Sequence, residues 1–116
     1  METCETRAAD AAAAKLAAGV VSYALGIPTQ HILDHQRGSS CAAFARHVAM
    51  YLCHVAFEFS LTRVAIAFFR DRSTVAHACH SVEDRREDPR FDQWVAGLEH
   101  ALREAPARGE PAELSR

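Results

Sequence analysis

Apolar residues in this chain recur every three or four positions, and each run is closed by glycine, proline or a polar cluster. That pattern is satisfied by short, packed helices. Phe91, Trp94, Val95, Leu98 and Leu102 form the cleanest stripe. Phe44, Val48, Tyr51, Leu52 and Val55 form another, which predicts a helix from about Cys41 to Phe57. Leu16, Val20 and Tyr23, with Ala12 and Ala24 beside them, predict a helix over Ala8 to Leu25, stopped by Gly26-Ile27-Pro28. The apolar share of 49% leans on alanine, and the β-branched and aromatic runs that mark strands are scarce. The expected fold class is all-α: a compact helical bundle with one core, which is what 116 residues can enclose. One domain is expected over 1–104. A disordered charged tail is expected over 105–116, where Pro106, Gly109 and Pro111 fall among charges.

The remaining segments supply the caps. Thr29 can cap a short helix through Leu33, and the polar run Asp34 to Ser40, with Arg37 and Gly38, reads as a loop. Ser60 suits the N-cap of Leu61 to Phe68, although Arg63 stands where a capping box would place Glu. After Phe69-Arg70, Asp71 can cap a helix running from Arg72 to about Arg86, and Pro89 ends it. Two short helices joined by so few residues have the form of a helix-turn-helix, in which the second helix presents its first turn to the major groove. Arg72, Ser73 and Thr74 occupy that turn. An arginine there can read guanine O6 and N7, a threonine methyl can meet a thymine methyl, and the helix N-terminus favours phosphate.

Net charge is −2, so bulk positive charge does not drive any binding to a polyanion. The distribution is uneven. Residues 31–82 hold five Lys/Arg against three Asp/Glu and six of the seven histidines, whereas residues 83–116 hold six against nine. A nucleic acid would therefore be met by the middle third. The four cysteines, Cys4, Cys41, Cys53 and Cys79, follow no secretory signal, and reduced thiols in a cytoplasm are expected. No stretch is expected to span a membrane.

Ala45-Arg46-His47-Val48-Ala49-Met50-Tyr51-Leu52-Cys53, then Ser60-Leu61, then Arg70-Asp71-Arg72-Ser73-Thr74-Val75-Ala76-His77-Ala78-Cys79 closely resemble consecutive signatures of the C-terminal DNA-binding domain (domain IV) of the bacterial replication initiator DnaA. Val20 to Leu33 resembles that domain's first helix and turn, so the likeness covers roughly residues 18–100. The chain also looks like the short stand-alone relatives of this domain from alphaproteobacteria. The resemblance implies a helix-turn-helix of the Trp-repressor-like type and recognition of duplex DNA at DnaA-box-like sites. By resemblance, Arg70, Asp71, Arg72, Ser73 and Thr74 match the start of the recognition helix, and Arg46 and His47 match polar positions that contact DNA. Arg37 lies in the loop that enters the minor groove in the initiator. The chain departs from the family where Arg72 replaces the usual histidine, where Phe69 replaces a turn glycine with one residue fewer, where His80 replaces a basic residue, and where the Asp34 to Ser40 loop holds one arginine rather than several.

No glycine opens a Gly-x-x-x-x-Gly-Lys-Ser/Thr phosphate loop, so no ATPase, nucleotide or other cofactor is expected, and the role implied is regulation of replication initiation by a cytoplasmic, nucleoid-associated protein. Its partners would be duplex DNA and, by protein contact, the initiator or its regulatory ATPase, with no small-molecule substrate and no membrane. His77, Cys79 and His80 with Cys53 and His54 match no standard zinc spacing, and a core His77 and a core Cys79 are the plainer reading. No metal or catalytic residue is expected. Arg46 and His47 can equally be a solvated helix face, Arg63 a surface charge, and Glu83 to Asp88 a solvated helix end or a run that repels non-specific phosphate. Trp94 is expected in the core. The rival to DNA recognition is a protein-interaction module on the same scaffold, which the net acidity and the arginine-poor loop favour.

Overall fold

The computed structural model describes residues 4–34 and 39–105. Among them the chain forms six helices and no strand: α1 (Cys4–Leu25), α2 (Thr29–Leu33), α3 (Ser40–Val55), α4 (Leu61–Phe68), α5 (Arg72–Arg85) and α6 (Pro89–Arg103). The expected all-α bundle is what the sequence builds. The tail beyond Ala105 and Arg37 in the loop after α2 lie outside the described residues.

The axis of the fold is α3, which packs against every other helix. Ala45, Val48, Ala49, Met50, Tyr51, Leu52 and Cys53 are all buried, more than one face of the helix. Each large aliphatic side chain so enclosed contributes about 1.5–3 kcal/mol. The local signals explain the breaks. Gly26 takes φ 70° and ends α1, its amide donating to the Ser22 carbonyl at 2.8 Å. Ser39 caps α3 by accepting from the Ala42 amide at 3.1 Å. Ser60 caps α4 through the Arg63 amide at 3.2 Å. Pro89, expected to end one helix, also opens the next as its first residue, with Asp88 accepting from the Arg90 amide at 3.0 Å.

The inner face of α1 differs from the expected one. Ala13, Ala14, Ala17, Ala18 and Val21 are buried, whereas Leu16 and Val20 sit on the rim, Ala12 and Ala24 are exposed and Tyr23 is 93% exposed. Both stripes have helical spacing, and the alanine one lets the α1 backbone approach α3 closely. By length and composition α1 is also apolar enough to cross a membrane over Thr6–Leu25, where no such stretch was expected. Here its inner face is core, and Asp10 holds Arg63 of α4 through two hydrogen bonds of 2.7 and 3.1 Å. Arg63 also lies 4.0 Å over the Phe59 ring, so it ties helices together rather than decorating the surface.

The charged run at the end of α5 is mostly exposed, as a solvated helix end should be, but Arg86 within it joins the packing. The Arg86 guanidinium donates to Asp92, to Glu99 at 2.6 Å and to the Tyr51 hydroxyl at 3.1 Å, and that hydroxyl donates to Glu83 at 2.7 Å. Burial would lower the proton affinity of Arg86, but these acceptors hold it above the ordinary arginine value. Burial, and the Glu83 bond, push the Tyr51 phenol up to about 12. Trp94 is half-buried at the rim, stacked on Phe44 with ring centres 6.4 Å apart.

Candidate nucleic-acid interface

Val64, Ala65 and Phe68 of α4 and Val75, Ala78, Cys79 and Val82 of α5 are buried, so the two helices share one apolar seam. The link between them is tight. Phe69 adopts the left-handed conformation (φ 56°, ψ 48°), the Arg70 amide returns to the Ala65 carbonyl at 2.9 Å, and α5 starts two residues later. This geometry leaves Asp71, Arg72, Ser73 and Thr74 all exposed at the open end of α5. Asp71 stands at the N-cap but its carboxylate makes no capping bond, which leaves the first-turn amides facing outward. A row of donors, one cation and two hydroxyls therefore converges at the positive end of a helix dipole.

Two arginines brace this end against α2. Arg46 is 7% exposed, and its Nε and Nη2 donate to the carbonyls of Ile32 at 2.8 Å and His31 at 3.2 Å. Arg70 Nη2 donates to the Asp34 carbonyl at 2.7 Å. Together they satisfy carbonyls that the end of a short helix leaves without partners. Burial, then the Arg70 charge, lowers the Arg46 pKa from its ordinary value, with Asp34 opposing. The alternative reading of Arg46 as part of a solvated helix face is thus corrected: the group is buried and holds the α2 exit. Its place in the sequence carried the signal, since Ala42, Arg46, Ala49 and Cys53 lie on one helical stripe and the other three include buried Ala42, Ala49 and Cys53.

His47 is half-buried, and burial, Arg46 and His77 depress its pKa, so the imidazole is held neutral near pH 7. The coupling to His77 places that α5 residue within electrostatic reach of α3, and His77 is exposed rather than in the core. Cys79 is buried as expected, its thiol pushed up to about 11 by burial and by Glu83. His80 lies on the exposed side of α5, 3.5 Å from Asp84. Among the described residues, no three His, Cys, Asp or Glu side chains are gathered in a way that would hold a metal ion.

The family described as the bacterial DnaA protein helix-turn-helix matches residues 17–82, from mid-α1 to near the end of α5. The chromosomal replication initiator protein DnaA of Lachnoclostridium phytofermentans is 35% identical over 89 residues, covering 75% of this chain and 19% of that protein. The same protein of Aquifex aeolicus is 39% identical over 75 residues, covering 63% and 18%. A crystal structure of a DNA replication initiation factor superposes with a TM-score of 0.75 at 29% identity, covering 86% of this chain and 31% of that one. The chain thus spans less than a fifth of the curated relatives it matches. On the matched residues and the helix-turn-helix they build, the chain belongs to the bacterial DnaA helix-turn-helix family.

Proposed function

We propose that this protein binds duplex DNA at DnaA-box-like sites and in that way regulates replication initiation. The observation that carries this reading is the first turn of α5, where Arg72, Ser73 and Thr74 are consecutive, exposed and adjacent to uncapped amides. Arg72 is assigned to guanine, Thr74 to a thymine methyl or a phosphate, and Ser73 and the amides to backbone oxygens. Asp71 is assigned to a cytosine amino group in the same groove. His47 and His77 would meet phosphate beside α5, Arg46 and Arg70 would hold the α2 exit, and Arg37 is assigned to the adjacent minor groove on the family resemblance alone. The chemistry proposed is binding, with the protein acting in the cytoplasm on nucleoid DNA.

Titrating a labelled duplex that carries a DnaA-box-like site, against a scrambled duplex at several salt concentrations, tests this. The few cations available predict a log–log salt slope of roughly −3 to −5, with the matched site preferred. Equal affinity for both duplexes, or no binding at low salt, would favour the second reading. That reading, a module that binds the initiator or its regulatory ATPase, draws its support from the net charge of −2.

A further inference from the structure

Beside a thin polar strip of Arg7, Lys15 and Ser22, the outer side of α1 is apolar. Its inner side packs against α3 and α4, and its outer side carries Leu16, Gly19, Val20 and Tyr23, which with Trp94 and Leu98 of α6 line an open groove of about 690 Å³. A surface helix of a globular domain ordinarily turns charged residues outward. Here Thr6–Leu25 has a mean hydropathy of 1.2 with only 33% of it buried.

Two details say what kind of occupant the groove suits. A Cβ built on Gly19 would meet nothing within 4 Å, so packing within the protomer does not require glycine at a mid-helix position where alanine would hold the helix better. Glycine there leaves the α1 backbone open to close approach from outside. The last turn of α1 also carries no basic residue, which leaves the negative end of its dipole without a cation.

We propose that this groove is a self-association surface in which a second copy lays its own α1 antiparallel across Gly19. Centred there, a two-fold axis sets Gly19 against the partner's Gly19 and Val20, and Leu16 against the partner's Tyr23. Lys15 then falls beside the partner's Tyr23 and the last turn of its α1, supplying both a cation–π contact and the missing cation. Every contact off the axis is made twice. A lipid surface is disfavoured because interfacial helices are flanked by several Lys/Arg, whereas the only charged side chain lining this groove is Lys15. All the lining residues belong to α1 and α6, so the dimer leaves both α5 N-termini open. The inference does not depend on what α5 binds.

Sedimentation equilibrium of the full chain, from micromolar to near-millimolar concentration, should show a monomer–dimer equilibrium. A Cβ at position 19 meets nothing within 4 Å, so Gly19→Arg should keep the helical circular dichroism and raise the dimer Kd by about tenfold or more. Lys15→Glu, which puts an anion at the partner's helix end, should weaken dimerisation as well. Gly97→Ala, at an exposed α6 position outside the groove with equally open surroundings, should leave it unchanged. A wild-type chain that stays monomeric throughout, or a Gly19→Arg variant that dimerises as well as wild type, overturns the proposal. Co-pelleting of a monomeric chain with phosphatidylglycerol vesicles does the same, by assigning the face to lipid.

Discussion

Arg46 commits its guanidinium to two backbone carbonyls inside the fold, and that decides what its removal does. Arg46→Ala strands the Ile32 and His31 carbonyls, which should lower stability by about 1–3 kcal/mol in thermal or urea melts. DNA affinity should fall with it, because the α2 exit loses its brace; an unchanged melting curve would contradict the positioning role. His47 makes a second residue-scale prediction. Its folded-state pKa is depressed below the ordinary 6.5, so between those two values the unfolded chain binds more protons than the native one. Stability therefore rises with pH through that window, and acidification below about 6.5 should lower Tm. His47→Gln should flatten that dependence. That Arg72, Ser73 and Thr74 open α5 was legible because they follow an N-cap residue, Asp71, directly after a short link. Arg46 was not, because charge argued for solvent while position on the α3 stripe argued for burial, and the carbonyls that decide between them come from a helix 14 residues away in sequence.

At the scale of the element, the α4–α5 link carries a cost that the replacement of a turn glycine by Phe69 signals in the sequence. Phe69 is 80% exposed and sits at φ 56°, where a Cβ clashes with the backbone. Phe69→Gly should stabilise the protein by about 1 kcal/mol, read as a higher Tm, since little packing is lost. The helices themselves were legible from their caps and stops, because Ser60, Gly26 and Pro89 act locally. The face that α1 buries was not. An alanine stripe and a Leu/Val/Tyr stripe have the same period, and only the close approach of α3 selects the smaller one. The Arg86 network was illegible for a related reason: a run of mixed charges reads as solvated, and Tyr51 and Glu99 come from other helices.

Across the whole molecule, a central α3 packs against α2 and α5 and the first turn of α5 is exposed, while α1 and α6 line an apolar groove. The proposed DNA-binding surface and the proposed self-association surface therefore use different helices. Under the proposed function a net charge of −2 favours selectivity, because little bulk attraction competes with contacts at the α5 N-terminus. Arg72 is the residue to which the proposal assigns that selectivity. The most direct test is the ratio of matched to scrambled duplex affinity for wild type and Arg72→Ala, at one salt concentration with folding checked by circular dichroism. A bidentate guanine contact is worth about 1–3 kcal/mol of discrimination, so the ratio should fall by roughly 5- to 150-fold while scrambled binding falls much less. An Arg72→Ala variant that keeps the wild-type ratio would contradict the assignment of α5 as the element that reads DNA.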